Sequence, residues 1–452
     1  MTRATAGSWL CLMVCMLSSP LRAHVGAVPE TLGVVLPADS NTGITAIEAS
    51  YGLLFDAGQG SFEWLCHETI IAAGSPITPR YALNSQGVLL GTTGVLASSR
   101  NPEETLYRSV DRCNWEAVTG LSGQVVTDVV FSPTDPQRAI ASTATLVTGV
   151  SNGLYYSSDA GATWQASDTN SPERLFRNVH FGSDGTAWAT ASYFNPLRSW
   201  LYRSNDNGLS WTEQQISYEA KGAAQVLLDV LLASGDGPQL WLRVDAPISD
   251  RLLYSNDGGL SFSDQFEVTS DIKSAAFSSD QRAWLVDGYG RMFQALGSGP
   301  FNALAEGPSA SGVNADERGL WVSTRVWNEE FALLFSADGE NFEGHFQLID
   351  TAPPPSCPSD SHSAQYCEPS WETLQQTLST MSGDDDDSSG GDDDDSSGGD
   401  DDDSSGSEPV GGCCGSTSDG AAQAGLLLPA MLLGWRRRRL SWKSQSSVPA
   451  RR

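Results

Sequence analysis

Basic charge is scarce in this chain: 26 Lys and Arg stand against 55 Asp and Glu, a formal net charge of −29 over 452 residues. The deficit is not confined to one acidic tract, because residues 24–383 hold 17 basic and 41 acidic residues. A body of that sign repels phosphate backbones and anionic lipid, which excludes nucleic acid as a partner. Histidine is also sparse, with five scattered residues. There is no C-x-x-C and no histidine pair, so no zinc site is expected and no metal ligands are assigned. His67 and His180 read as structural or surface residues. Neither a P-loop nor a nucleophile elbow is expected. Residues 28–350 show no long stretch of helical periodicity, which sets a helical architecture aside.

What the chain does have is one short phrase written several times. Ser157-Ser-Asp-Ala-Gly-Ala-Thr-Trp164, Ser204-Asn-Asp-Asn-Gly-Leu-Ser-Trp211 and Ser255-Asn-Asp-Gly-Gly-Leu-Ser-Phe262 share S-x-D-x-G-x-[ST]-aromatic, and Ser336-Ala-Asp-Gly-Glu-Asn-Phe342 is a shortened copy. Weaker copies are Ser109-Val-Asp-Arg-Cys-Asn-Trp115, which lacks the Gly, and Phe55-Asp-Ala-Gly-Gln-Gly-Ser-Phe62, which lacks the leading Ser. An Asp side chain accepting backbone N–H groups two residues on locks a tight turn. The Gly supplies a position of positive φ, and the aromatic ring tucks between neighbouring sheets. Each phrase therefore predicts a hairpin clip. Asp111, Asp159, Asp206, Asp257 and Asp338, with Trp115, Trp164, Trp211, Phe262 and Phe342, are expected to be structural.

The clear copies place Asp at 159, 206, 257 and 338, and with the weak copies the steps are 55, 48, 47, 51 and 81 residues. The long last step predicts one degenerate unit near Gly297–Phe301. A short apolar strand precedes each phrase: Gly87-Val-Leu-Leu-Gly, Arg138-Ala-Ile-Ala-Ser, Thr186-Ala-Trp-Ala-Thr, Gln239-Leu-Trp-Leu-Arg, Arg282-Ala-Trp-Leu-Val and Gly319-Leu-Trp-Val-Ser, with Trp188, Trp241, Trp284 and Trp321 in equivalent places. Seven units of about 46 residues match a four-stranded blade. The expected fold is all-β: a single β-propeller over residues 28–350 with seven four-stranded blades, six or eight being the alternatives.

The repeated phrase resembles the Asp-box, or BNR, repeat of sialidases, sortilins and related β-propellers. The resemblance implies that the box is structural and lies away from any catalytic cleft. Sialidases carry an arginine triad, an early Arg-Ile-Pro-type segment, an acid Asp and a Tyr–Glu pair. Here Thr78-Pro-Arg80-Tyr reverses the order of Arg and Pro, Arg203 and Arg251 lie beside boxes, and Tyr218-Glu219 is an isolated pair. No catalytic residue is assigned.

Both ends carry targeting features. Residues 1–23 read as a secretory signal peptide, with Arg3, the apolar Trp9–Leu17 and a cleavable Leu21-Arg-Ala23. Residues 351–383 form a Pro/Ser-rich segment, and residues 384–410 a disordered linker built on three runs of four Asp. That linker spans roughly 25–30 Å before self-repulsion extends it. Weak Ca²⁺ binding by the Asp runs is the one ion interaction considered, and no cofactor is expected. Residues 411–440 hold Gly411-Gly-Cys-Cys-Gly415, the apolar Ala421–Trp435, and Arg436, Arg437, Arg438 and Arg439. This resembles the MYXO-CTERM sorting tag of myxobacteria-like Gram-negative bacteria. It implies processing at Cys413 or Cys414 by a sorting protease, a short C-terminal membrane helix, and anchoring or release at the cell envelope; a plain C-terminal anchor is the alternative. Residues 441–452 would be a cytoplasmic tail.

Four further cysteines, Cys66, Cys113, Cys357 and Cys367, allow three disulfide pairings in an oxidising compartment. Proximity in sequence and in the repeat favours 66–113 and 357–367. The functional expectation is an exported, surface-anchored, non-catalytic module binding a protein or glycan at the cell envelope through loops such as 192–197, 218–223 and 245–251. The alternative is a glycoside hydrolase with paired carboxylates.

Overall fold

The computed structural model describes residues 29–38, 45–58, 60–72, 74–101, 103–147, 149–194, 197–216, 227–233, 239–245, 249–297 and 299–381. Those residues fold as seven antiparallel four-stranded sheets, each contiguous in sequence. Blade 1 runs through Thr31–Val35, Ala46–Ala49, Gly52–Asp56 and Phe62–Cys66. Blade 2 comprises Arg80–Leu83, Leu89–Thr92, Leu106–Ser109 and Glu116–Ala117. Blade 3 comprises Val126–Phe131, Ala139–Thr143, Leu154–Ser157 and Gln165–Ala166. Blade 4 comprises Leu175–Phe181, Ala187–Phe194, Leu197–Ser204 and Thr212–Ile216. Blade 5 comprises Leu227–Ala233, Leu240–Asp245, Arg251–Ser255 and Ser263–Glu267. Blade 6 comprises Ile272–Phe277, Arg282–Asp287, Met292–Leu296 and Asn302–Ala303. Blade 7 comprises Ala310–Asp316, Gly319–Thr324, Leu333–Ser336 and Glu343–Phe346. The architecture is the expected seven-bladed β-propeller, and the degenerate unit supplies the third-to-fourth-strand turn of blade 6, with Phe301 buried.

The apolar core is divided into seven clusters, one between each pair of adjacent blades. This follows from the strand pattern. The predicted apolar strands are the second strands of their blades, and both of their faces are covered, so they read as continuous hydrophobic runs rather than alternating ones. Trp188, Trp241, Trp284 and Trp321 are all buried at this level, and each such ring contributes on the order of 2–3 kcal/mol of transfer free energy.

The boxes sit at the third-to-fourth-strand turns, and their hydrogen bonds repeat atom for atom. Asp159 Oδ1 accepts from Thr163 N at 2.8 Å and Oδ2 from Thr163 Oγ1 at 2.6 Å, while Ser157 Oγ accepts from Gly161 N at 2.8 Å. Asp206 with Ser210, and Asp257 with Ser261, make the same pair of bonds. The Asp thus reaches four residues on, not two as expected, because two consecutive left-handed residues, such as Ala160 and Gly161, coil the turn into a wider loop. The two short copies do use the nearer bonds. Asp111 and Asp338 accept N–H groups two and three residues on, and Asn114 and Asn341 supply the side-chain donor that Ser or Thr supplies in the long form. Asn341→Ser is therefore expected to lose the 2.7 Å Nδ2–Oδ2 bond and about 1 kcal/mol of stability, read from a urea unfolding midpoint. The box carboxylates are held ionised: hydrogen bonds from Ser261 and Ser255 draw Asp257 down to about 2. The aromatic partners are buried at Trp115 and Trp164 and packed at the rim of the core at Trp211, Phe262 and Phe342.

The segment after blade 7 departs from the expected Pro/Ser-rich linker. Thr351–Ala352 adds a fifth, parallel strand to the outer edge of blade 1. Two helices follow, α1 (His362–Tyr366) and α2 (Glu368–Met381). Ser361 caps α1 by accepting Ala364 N at 3.2 Å. Leu378 is buried, and the Trp371 and Trp64 rings lie 6.0 Å apart. The expected disulfide pairing is overturned. Cys66 bonds Cys367 and Cys113 bonds Cys357, with Cα separations of 5.3 and 5.6 Å. Proximity in sequence misled because the strap folds back across the ends of blades 1 and 2, bringing together residues 301 and 244 positions apart. The signal segment, the Asp linker, Cys413, Cys414 and Arg436 to Arg439 lie outside the described residues.

Candidate functional site

Because each blade is an antiparallel meander, the first-to-second and third-to-fourth turns fall on one face, with the boxes. The second-to-third turns and the blade-to-blade connections form the other face. The inner strands begin at that second face, and their pairing puts Gly33, Arg80, Asp128, Asn178, Asp229 and Ser274 at one register position, opposite Glu48, Thr92, Ser142, Thr190, Arg243 and Val286. Arg80, Asp128, Asn178, Asp229 and Ser274 at this level are polar or charged, the blade 7 position is Gly312 opposite Ser323, and Glu48 fills the space that Gly33 leaves.

Several of these side chains staple one blade to the next. Glu48 Oε1 accepts from Tyr81 N at 3.2 Å, Asp128 Oδ2 from Val179 N at 3.2 Å, Asn178 Oδ1 from Val230 N at 3.2 Å, and Ser274 Oγ from Val313 N at 3.1 Å. Asn314 Nδ2 donates to Val34 O at 3.1 Å across the seam between blades 7 and 1. Thr92 Oγ1 donates to Val126 O, and Asp250 Oδ2 accepts from Ile272 N, both at 2.7 Å, so every adjacent pair is tied. Ion pairs extend the ring: Arg177 reaches Asp229 at 2.9 Å and Asp245 at 3.2 Å, and Arg243 reaches Asp250 at 2.7 Å.

Burial raises the Glu48 carboxyl from 4.5 to about 7, with the Tyr81 N–H and Arg80 opposing and Asp128 reinforcing the rise. Asp128 is raised by burial as well, against the pull of Arg80 and two backbone N–H groups. Burial alone would lower Arg177, but Asp229 and Asp245 outweigh it and hold the guanidinium above its ordinary value. A carboxyl that binds its proton more tightly when folded contributes its full stability only below its unfolded value. That contribution fades as the pH climbs from 4.5 through about 7. Glu48→Gln, which keeps an acceptor for Tyr81, is therefore expected to raise the melting temperature at pH 8 and to leave it unchanged at pH 4. Equal shifts at both values would refute the assignment.

Of the residues weighed from the sequence as a sialidase-like set, the described Arg80, Arg203 and Arg251 lie on strands of three different blades. Arg80 opens the inner strand of blade 2, whereas Arg203 lies on a third strand with its guanidinium 5.2 Å from the Trp188 ring, and Arg251 on another, paired with Asp264 at 2.5 Å. Tyr218 and Glu219 lie outside the described residues, as does all of 218–223. Of the other two proposed loops, Ser192–Phe194, Leu197, Asp245 and Ser249–Arg251 are described. The letters G-x-S-x-G do occur, at Gly149-Val-Ser-Asn-Gly153, contrary to the expectation of no elbow pattern. They occupy the hairpin between the second and third strands of blade 3, where Asn152 bonds Thr145 at 2.6 and 3.0 Å, so no strand-to-helix elbow forms. Among the described residues no group of three or more His, Cys, Asp or Glu is placed to hold a metal ion, and no helix is long and apolar enough to cross a membrane. Burial lowers His180 to about 4, and His67 is buried beside Tyr81.

Sequence reasoning missed two aromatic groups on this face. Tyr289 and Trp327 are 62% and 58% exposed on the second-to-third turns of blades 6 and 7. Asp287, fully buried, locks the first turn by accepting Tyr289 N and Arg291 N, both at 2.9 Å. The second turn is set by Ser309 N donating to Glu329 Oε1 at 2.6 Å, and Arg325 donates across to Gly288 O. The signal for Tyr289 was a bulky ring between two glycines in a hairpin; Trp327 carried none.

No family profile matches this chain, and no curated protein matches it either. Solved structures similar to it include the GH74 xyloglucanase from Xanthomonas campestris (TM-score 0.46, 13% identity, 73% of this chain and 61% of that one). The GH74 enzyme from Niastella koreensis matches with a TM-score of 0.27 and 14% identity over 70% and 72% of the two chains. The Dos1 propeller matches with a TM-score of 0.47 and 10% identity over 71% and 96%. The chain thus spans less than two thirds of the xyloglucanase. Its place among the β-propellers rests on its own strand order, seven sequential antiparallel blades.

Proposed function

We propose that this protein is an exported, surface-anchored binding module that offers the face opposite its Asp boxes to a protein or glycan at the cell envelope. The observation that carries this reading is the use made of the carboxylates at the inner-strand ring. Glu48 and Asp128 are spent on backbone N–H groups of the next blade, and Asn178 and Ser274, which cannot act as acid or base, do the same work at equivalent positions. Among the described residues, that face offers a ligand the aromatic and guanidinium surface around Tyr289, Arg291, Arg325 and Trp327, a combination of flat apolar area and fixed donors suited to recognition. Export and anchoring rest on residues 1–23 and on the tag at 411–440, with processing at Cys413 or Cys414.

A glycan array, a glycosidase-substrate screen and cross-linking on intact cells test the reading together. Binding without turnover is expected, with Tyr289→Ala and Trp327→Ala each weakening it about tenfold or more, as the loss of an aromatic anchor does. One observation favours the alternative, a glycoside hydrolase: Glu48 keeps a proton to about pH 7 beside Asp128, the condition of a general acid paired with a second carboxylate. Sugar turnover that Glu48→Gln abolishes would replace the binding reading with that one.

A further inference from the structure

We propose that residues 351–381 are a strap that carries tension: its two disulfides pass force on the C-terminal tether straight to blades 1 and 2, so that the ring of blades is never pulled apart from its C-terminal end. The proposal rests on the reading that the chain is held by its C-terminus.

Three features place the strap in the load path. The ring is not closed by a shared blade, since all four antiparallel strands of blade 1 come from residues 31–66 and all of blade 7 from residues 310–346. The last β-contact is only the two-residue strand Thr351–Ala352 on blade 1. A force applied to residue 381 of such a chain, without cross-links, would unzip α2, α1 and that strand one bond at a time, then peel the outer strand Glu343–Phe346 from blade 7. Unzipping loads hydrogen bonds singly and is resisted by little. Here the path is cut short. The Cys367–Cys66 bond diverts tension into the end of blade 1's outer strand before α1 is reached. The Cys357–Cys113 bond, with Ser363 N donating to Cys113 O at 2.9 Å and Trp115 N donating to His362 Nδ1 at 3.0 Å, is a second covalent stop on the box of blade 2. The sequence between Cys66 and Cys367, a separation of 301, becomes a closed loop that end-to-end force cannot extend. The position of the strap also accounts for its length: it runs past the blade 7–blade 1 seam to reach blade 2, farther than closure of the ring requires.

Single-molecule force spectroscopy on the exported chain, held at its two ends, tests this. Under oxidising conditions the folded part is expected to release only the residues outside the Cys66–Cys367 loop. Adding a thiol reductant should release about 100 nm more, the contour length of that loop. With Cys66→Ser and Cys367→Ser together, the second bond should hold alone, and the oxidised release should grow by about 20 nm, the difference between the two enclosed lengths. Release of the full 100 nm without reductant would overturn the proposal, and so would a Cys66→Ser/Cys367→Ser protein that peels no further than the native one. The force trace does not depend on where the chain resides. Surface labelling of intact cells reads the tethering separately, so failure of one reading is distinguishable from failure of the other.

Discussion

Replacing Cys66 and Cys367 by serine is expected to lower folding stability by about 3–5 kcal/mol, measured as a shift of the denaturant midpoint under oxidising conditions. The magnitude follows from the loop. With Cys113–Cys357 still closed, the Cys66–Cys367 bond constrains the two arms between the bonds, 57 residues by the difference of the two separations, which is still a far longer loop than one between neighbours. The folded state loses as well, because Cys66 and Cys367 are buried in the cluster with Trp64, Phe346 and Leu378, where two hydroxyls have little to bond. The Cys113–Cys357 bond is nested inside the first. With either bond closed the other constrains the same two arms, so Cys113→Ser with Cys357→Ser is expected to cost less only because those two cysteines are half-buried rather than buried. Removing both pairs should cost more than the sum of the two single-pair removals, because the last bond to go frees a loop of at least 244 residues rather than the short arms. Strict additivity would mean the two bonds do not share one loop, as in the pairing of 66 with 113 and 357 with 367.

Gly208→Ala is expected to cost about 2–4 kcal/mol, whereas Gly58→Ala costs about 1. Both residues have positive φ, +86° and +95°, and an alanine at either suffers the left-handed penalty of about 1–2 kcal/mol. They differ in what the added methyl meets. At Gly58 it meets nothing, but at Gly208 it lands 2.7 Å from Ile140 Cδ1 on the neighbouring blade, inside a packed interface. Overpacking adds about 1–3 kcal/mol. The same conflict recurs at Gly161 with Leu90, Gly259 with Leu201 and Gly339 with Trp284. The box Gly is thus where one blade rests on the side chains of the blade before it, as well as the residue that permits the turn. Urea midpoints of the two variants decide this; equal losses at Gly208 and Gly58 would leave backbone conformation as the only role of the box glycine.

The parts of the fold legible in the sequence were those governed by local chemistry. A Ser-x-Asp-x-Gly phrase dictates its own turn through bonds reaching no more than four residues, and a run such as Gln239-Leu-Trp-Leu-Arg is apolar because both faces of a second strand are covered. The spacing of such units counts the blades. The copy at Asp111 looked degenerate because it lacks the Gly and the copy at Asp338 because it is shortened, yet the Asn in each keeps the side-chain bond to the Asp. The candidate site was less legible. Glu48 is one acidic residue in the apolar strand Ala46–Ala49, and its significance depends on Gly33 leaving room across the pairing. The helix α2 was hidden in a segment whose Pro and Ser content suggested a linker, because its few apolar residues, Trp371, Leu374 and Leu378, find their partners on blade 1 and blade 7.

By itself, then, the sequence determined the all-β architecture, the seven-unit count and the identity of the turn-forming residues, since each depends on interactions within a single repeat. The tertiary structure alone decided which cysteines pair, which carboxylates meet at the inner-strand ring, and which aromatic rings stay exposed. Those outcomes depend on contacts between residues that lie one blade apart, or 244 and 301 positions apart. No local preference carries that information, because it arises only when the ring closes and the chain's last described segment crosses its own beginning.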